Sequence, residues 1–139
     1  MGKLKYKKDL QKFNEYIKFH EKLQDEIYAV FAKSVPEKRF ETAFLNRVAY
    51  LLEKKENCTS YADWFESLKH MGQDCEIYSM KFRKFKNEPR ILFCIDNNPP
   101  MATLLCCFSE ANDGYKKGID KAMERYVEKE KNAKNLNGG

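Results

Sequence analysis

The chain has 139 residues, 42% of them hydrophobic and 14% aromatic, enough for one domain that buries roughly two-thirds of the surface its unfolded form exposes and needs no staples. Its 26 bases against 21 acids give a formal net charge of +5, a balance that permits nucleic-acid binding without demanding it. No run approaches the roughly 18 consecutive apolar residues of a membrane span, and no apolar segment follows the basic N-terminus as it would in a signal peptide, so the expected compartment is the cytoplasm.

Between residues 9 and 33 the apolar positions recur at helical steps: Leu10, Phe13, Tyr16 and Ile17, then Leu23, Ile27, Val30 and Phe31. That spacing predicts a first helix with one apolar face. Ser34 with Glu37 three residues on, and Pro36 between, reads as the capped start of a second helix. Its stripe is Phe40, Ala43, Phe44, Arg47, Val48, Leu51 and Leu52, so the two form a helical hairpin. Residues 57–74 look irregular, with about two helical turns over residues 61–68 and Gly72 as their stop.

The pattern then changes from helical to extended. Residues 75–83, 89–96 and 101–108 read as three antiparallel strands of a meander, separated by turns at Lys86-Asn87-Glu88 and Asp96-Asn97-Asn98-Pro99-Pro100. The second and third are apolar on both faces and should lie centrally under helices. A polar loop, residues 109–114, leads to a last amphipathic helix over residues 115–129, marked by Ile119, Ala122, Met123, Tyr126 and Val127. The fold class is therefore α+β: an N-terminal helical hairpin, an antiparallel sheet of three or more strands, and a C-terminal helix.

Five cysteines, Cys58, Cys75, Cys94, Cys106 and Cys107, are odd in number, include an adjacent pair and contain no C-x-x-C spacing. They read as reduced, buried small hydrophobes rather than a disulfide or zinc framework. His70 lies near Cys75, but no second ligand pair stands at metal-site spacing, and the sequence implies neither metal nor cofactor. No phosphate loop, nucleophile elbow or zincin motif is present, and His20 and His70 read as surface residues.

The cations of the second half carry more information. Lys81 and Arg83 alternate on the first strand, Lys84 and Lys86 crowd its turn, and Arg90 opens the next strand. Beside Tyr78, Phe82 and Phe85 such a hairpin can hold phosphates and stack a base. The same charges equally suit a solvated edge that discourages aggregation.

The succession Trp64-Phe65-Glu66-Ser67-Leu68, Ile77-Tyr78-Ser79-Met80-Lys81-Phe82, the 89–96 run, Ala102-Thr103-Leu104-Leu105-Cys106-Cys107-Phe108 and Gly118-Ile119-Asp120-Lys121-Ala122-Met123-Glu124-Arg125-Tyr126 resembles the RelE/ParE toxin superfamily, in particular its HigB-like, phage-derived branch. The resemblance covers about residues 60–128; the helical hairpin before them matches only in kind. It implies a single RelE-like domain over residues 1–131 with a flexible tail at 132–139, a cognate antitoxin seated in an apolar groove beside the sheet and last helix, and no membrane. It also implies metal-independent cleavage of messenger RNA on the ribosome, by attack of a ribose 2′-OH on the neighbouring phosphate. On that template Lys81, Arg90 and Tyr115 occupy catalytic positions, and Arg83, Lys84, Lys86, Lys116 and Lys117 the RNA-binding ones. One departure bears on chemistry: Ser109-Glu110-Ala111-Asn112-Asp113 stands where the pattern carries lysines. Two acids there oppose a scissile phosphate, at roughly 4 kcal/mol for a like charge 4 Å away at an effective dielectric constant of about 20. A RelE/ParE-type protein that binds a protein partner without cutting, or an inactivated toxin, is the alternative.

Overall fold

The computed structural model describes residues 16–31, 37–68, 76–97 and 100–138. Among them the elements run β1 (Ile17–Phe19), α1 (Leu23–Phe31), α2 (Glu37–Lys54), a 3-10 segment (Lys55–Ser60), β2 (Phe65–Ser67), β3 (Ile77–Lys81), β4 (Pro89–Asn97), β5 (Pro100–Ser109) and α3 (Glu110–Gly138). The strands form one sheet in the order β1-β5-β4-β3-β2. β2, β3, β4 and β5 pair antiparallel in sequence, and β1 lies parallel to β5.

The class is α+β, as the change of periodicity predicts, but the sheet is mixed rather than wholly antiparallel. Two corrections explain why. Residues 17–19, expected in the first helix, are strand: Ile17-Lys18-Phe19 is β-branched and aromatic, and β5 offers it an open edge at Ala102–Leu104. The helix that does form starts at Leu23, and its stripe is Leu23, Ile27 and Phe31. Residues 65–67, expected as helical turns, pair with β3 instead, Phe65 opposite Met80 and Ser67 opposite Tyr78. The helix cap at Ser34–Pro36, the Gly72 stop, and His70 and Cys75 lie outside the described residues.

A second difference shapes the site. The polar loop expected at 109–114 is helical from Glu110, broken only at Gly114, whose φ of 73° and ψ of 167° kink α3. Glycine adopts this left-handed conformation without the Cβ penalty other residues incur. Beyond the kink, α3 continues through the polar residues from Asn132.

The sheet is covered on both faces. On one, α1, α2 and the 3-10 segment bury an aromatic core in which Phe31, Phe40, Phe44, Phe82 and Phe93 meet residues of β3 and β4. Phe31 and Phe40 sit with ring centroids 3.9 Å apart. On the other, α3 packs Ala122 and the half-buried Ile119, Met123 and Tyr126 over Ile77, Leu92, Cys94, Cys106 and Phe108. The approach is close: a side chain at Gly118 would collide with the Phe108 ring. The four described cysteines are buried, and burial pushes the Cys58 and Cys106 thiols up to about 12, so these two act as packing groups rather than nucleophiles.

β1 is too short to cover the whole outer edge of β5, and side chains complete that edge. The Glu26 carboxylate accepts the Cys107 amide (3.1 Å) and two bonds from the Arg125 guanidinium (2.8 and 2.6 Å), while Arg125 also donates to the Leu105 carbonyl (2.7 Å). These are the backbone groups that another strand would have satisfied, at the point where a bulge shifts the register of β4 against β5.

Candidate functional site

Two clusters of cations lie near the β3–β4 hairpin, one on each face of the sheet. On the α3 face Arg90 stands opposite Lys81 in the register, so both side chains leave the sheet on that side. Arg90 is 4% exposed. Its Nε donates to the Tyr115 hydroxyl at 2.9 Å, and its terminal nitrogens meet the Pro89 carbonyl (3.0 Å), Glu110 (2.5 Å) and Glu88 (3.6 Å). Tyr115 Oη also lies 3.0 Å from Ser79 Oγ. Burial pushes the Tyr115 phenol above its ordinary value, although Ser79 and Arg90 pull the other way.

The local chain makes this cluster. Asn87 and Glu88 both carry positive φ, 67° and 46°, conformations that side chains other than glycine hold at a cost. The start of α3 holds them in place. The Glu110 amide donates to the Glu88 carbonyl, the Ala111 amide to the Asn87 carbonyl, and Ser109 Oγ to the same Asn87 oxygen at 2.7 Å. Glu88 and Glu110 thereby flank Arg90 from the turn and the helix.

Of the residues the sequence nominates, Arg90 and Tyr115 are in direct contact, with Lys81 beside them. Arg83 does not join them. β3 ends at Lys81, so strand alternation stops before residue 83, and Arg83 sits in the turn, 3.7 Å from Asp63. Lys84, Lys86, Lys116 and Lys117 are exposed. Lys84 shares a groove with Arg83, and Lys117 belongs to a separate hollow with Gly118 and Lys121.

The second cluster belongs to the face covered by α1 and α2. Arg47 of α2 is 8% exposed. Its Nε donates to the Lys81 carbonyl at 2.8 Å and Nη1 to the Ala43 carbonyl at 3.0 Å. The guanidinium lies 4.6 Å from the ring centroids of both Trp64 and Phe82. Tyr61 stacks on Trp64 at 4.4 Å with planes 9° apart. Arg39 covers Phe85 at 4.7 Å. Arg39, Arg47, Tyr61, Trp64 and Phe85 line, with Arg83 and Lys84, an open groove of about 600 Å³. Arg39, Arg47 and Phe85 carry it on along α2. Burial pushes the Arg47 guanidinium down to about 10, and among the described residues no carboxylate offsets its charge.

Sequence reasoning missed Arg39 and the pairing of Arg90 with Glu88 and Glu110. Arg47 did leave a signal, as the one charged position in an otherwise apolar helical stripe. Among the described residues no group of three or more His, Cys, Asp or Glu could hold a metal ion, and no helix is long and apolar enough to cross a membrane. No protein-family model, curated protein or solved structure matches the chain.

Proposed function

We propose that this chain is the toxin-type member of a toxin–antitoxin pair, a RelE/HigB-like protein, and that it acts by binding its target rather than by cutting RNA. The family part of the reading rests on the order of sequence motifs over residues 60–128. What supports binding over cleavage is the state of Arg90. A cation that stabilises a developing phosphorane must face the reacting phosphate with its charge free. Arg90 is 4% exposed and held by Glu110 at 2.5 Å. An incoming phosphate would have to displace that carboxylate and then sit beside it, against a repulsion of roughly 4 kcal/mol at 4 Å and an effective dielectric constant of about 20.

The ribonuclease reading has one observation in its favour, the 2.9 Å contact of Arg90 with Tyr115 beside two carboxylates. With Glu110 swung away, Glu88 or Glu110 could take the 2′-OH proton while Arg90 and Lys81 met the phosphate.

The test incubates the purified chain with a reporter mRNA and translating ribosomes in the magnesium that ribosomes require. The binding reading expects intact mRNA, with growth arrest on induction that a small co-expressed antitoxin relieves. Fragments ending in 2′,3′-cyclic phosphate, reduced about 10²-fold by Arg90→Ala and increased by Glu110→Lys, would overturn it in favour of cleavage.

A further inference from the structure

The groove on the face covered by α1 and α2 is independent of the Arg90 cluster, and its make-up is specific. Phe82, the Arg47 guanidinium, Trp64 and Tyr61 form a continuous column of planar groups with contacts of 4.6, 4.6 and 4.4 Å. The column ends at Tyr61, which is 37% exposed. Such a column can be extended by one more flat ring, and every nucleobase has a π-face to offer, worth about 1–3 kcal/mol when stacked. Around it stand Arg39, Arg83 and Lys84, all exposed, with Arg47 at the wall, more than nine-tenths buried and without a carboxylate partner among the described residues. Leaving a buried guanidinium unmatched is costly, and an anion entering the groove would offset it. Asp63 and Glu88 also line the groove. Asp63 lies against Arg83 and Glu88 against Arg90, which leaves Arg39, Arg47 and Lys84 as groove cations without a carboxylate neighbour among the described residues.

We propose that this groove binds a nucleotide unit, its base stacked on Tyr61 and its phosphate held by Arg39, Arg83 and Lys84 over the Arg47 guanidinium. A free nucleoside phosphate and an unpaired nucleotide of a single strand present this same chemistry. The site shares Arg83 and Lys84 with the RNA-binding positions of the toxin template but makes no use of Arg90, Tyr115 or Glu110, so its failure would leave the argument from Arg90 untouched.

Trp64 is the only tryptophan in the chain, and it lies inside the column, so its fluorescence reports on the groove directly. The full chain is titrated in one arm with ATP and in the other with a decauridylate, at low salt and with inner-filter correction. Saturable quenching is expected, weakened at least tenfold in the Arg39→Ala/Arg83→Ala/Lys84→Ala variant. These side chains are exposed, so the fold should survive, as far-UV circular dichroism would show. Lys18→Ala/Lys22→Ala, which removes exposed cations by the opposite edge of the sheet, should leave the titration unchanged. Quenching by ATP assigns the site to a free nucleotide, and quenching by the oligonucleotide alone assigns it to a single strand. The proposal is overturned by no quenching in either arm up to millimolar ATP, or by equal quenching in wild type and triple variant.

Discussion

Arg47 and Arg90 meet the same rung of the sheet from opposite faces. Arg47 reaches down from α2 to the Lys81 carbonyl, while Arg90 is the residue paired with Lys81 across β3 and β4. They are nearly equally buried, at 8% and 4%. Their charges are offset differently. Arg90 is matched by Glu110, Glu88 and a phenol, which closes its cluster. Arg47 is matched by two carbonyls and two aromatic faces, none carrying a formal charge, and it lines a groove. Burial alone therefore does not say which arginine is structural. The sign of what surrounds it decides which one keeps attraction to spare for a ligand.

The largest effect expected from breaking this comparison is at Arg90. Arg90→Met removes one side of a buried ion pair and leaves Glu110, Glu88 and the Tyr115 hydroxyl without the guanidinium. Loss of one partner from a buried pair costs about 3–5 kcal/mol. Because Glu110 and Glu88 keep access to water, being 33% and 48% exposed, the lower end, about 3 kcal/mol, is expected in urea unfolding. Adding Glu110→Gln should recover at least about 1 kcal/mol as a coupling energy in a double-mutant cycle. Coupling near zero would mean that the carboxylate is not what fixes Arg90.

Much of this contrast was legible in the sequence, and the missing parts have physical causes. Arg90 with Tyr115 could be nominated because the resemblance puts both at template positions, and a short connection after the third strand lets Tyr115 reach the face of Arg90. Their neutralisation could not. It depends on α3 starting at Glu110, and the run Ser-Glu-Ala-Asn-Asp-Gly carries as much loop as helix propensity, so tertiary bonds from the Glu110 and Ala111 amides to the β3–β4 turn decide it. Arg83 was misplaced because alternation was carried two residues past the end of β3 at Lys81. β1 was unreadable for a different reason. Three residues are too few for periodicity to separate strand from helix, and only the open edge of β5, distant in sequence, selects the strand.

A mid-sized effect tests the edge that joins the two faces. Glu26 comes from α1 and Arg125 from α3. Burial alone would raise the Glu26 carboxyl, but the Arg125 and Cys107 hydrogen bonds and the nearby Arg125 and Lys121 charges outweigh it and hold it below the usual value. A carboxylate with a lowered folded-state pKa stabilises fully above its unfolded-state value, about 4.5 here. That contribution fades as pH falls through this value toward the folded one. Glu26→Gln should therefore cost about 2 kcal/mol at pH 7, most of it from the lost charge-assisted bonds. It should also flatten the decline of stability between about pH 5 and pH 3, measured by urea unfolding across that range. Parallel declines in wild type and variant would show that Glu26 titrates as it does in the unfolded chain.

The smallest stability effect is the most informative, because it applies the Arg90 substitution to its counterpart. Arg47→Met keeps an unbranched side chain of similar reach between Trp64 and Phe82, and sulfur packs well against aromatic rings. It loses two hydrogen bonds to the Lys81 and Ala43 carbonyls, each worth about 1 kcal/mol net, and it removes a buried charge that no carboxylate compensates. Replacing buried ionic groups by well-packed apolar ones is often neutral or stabilising, so the terms nearly cancel and a change within about 1 kcal/mol is expected. Arg47→Ala, which opens a cavity between the rings as well, should cost about 2–3 kcal/mol. A loss for Arg47→Met as large as that for Arg90→Met would make Arg47 a structural cation like its counterpart. Near-neutral stability together with weakened ATP or decauridylate quenching would instead place the unspent charge of Arg47 in the service of a ligand.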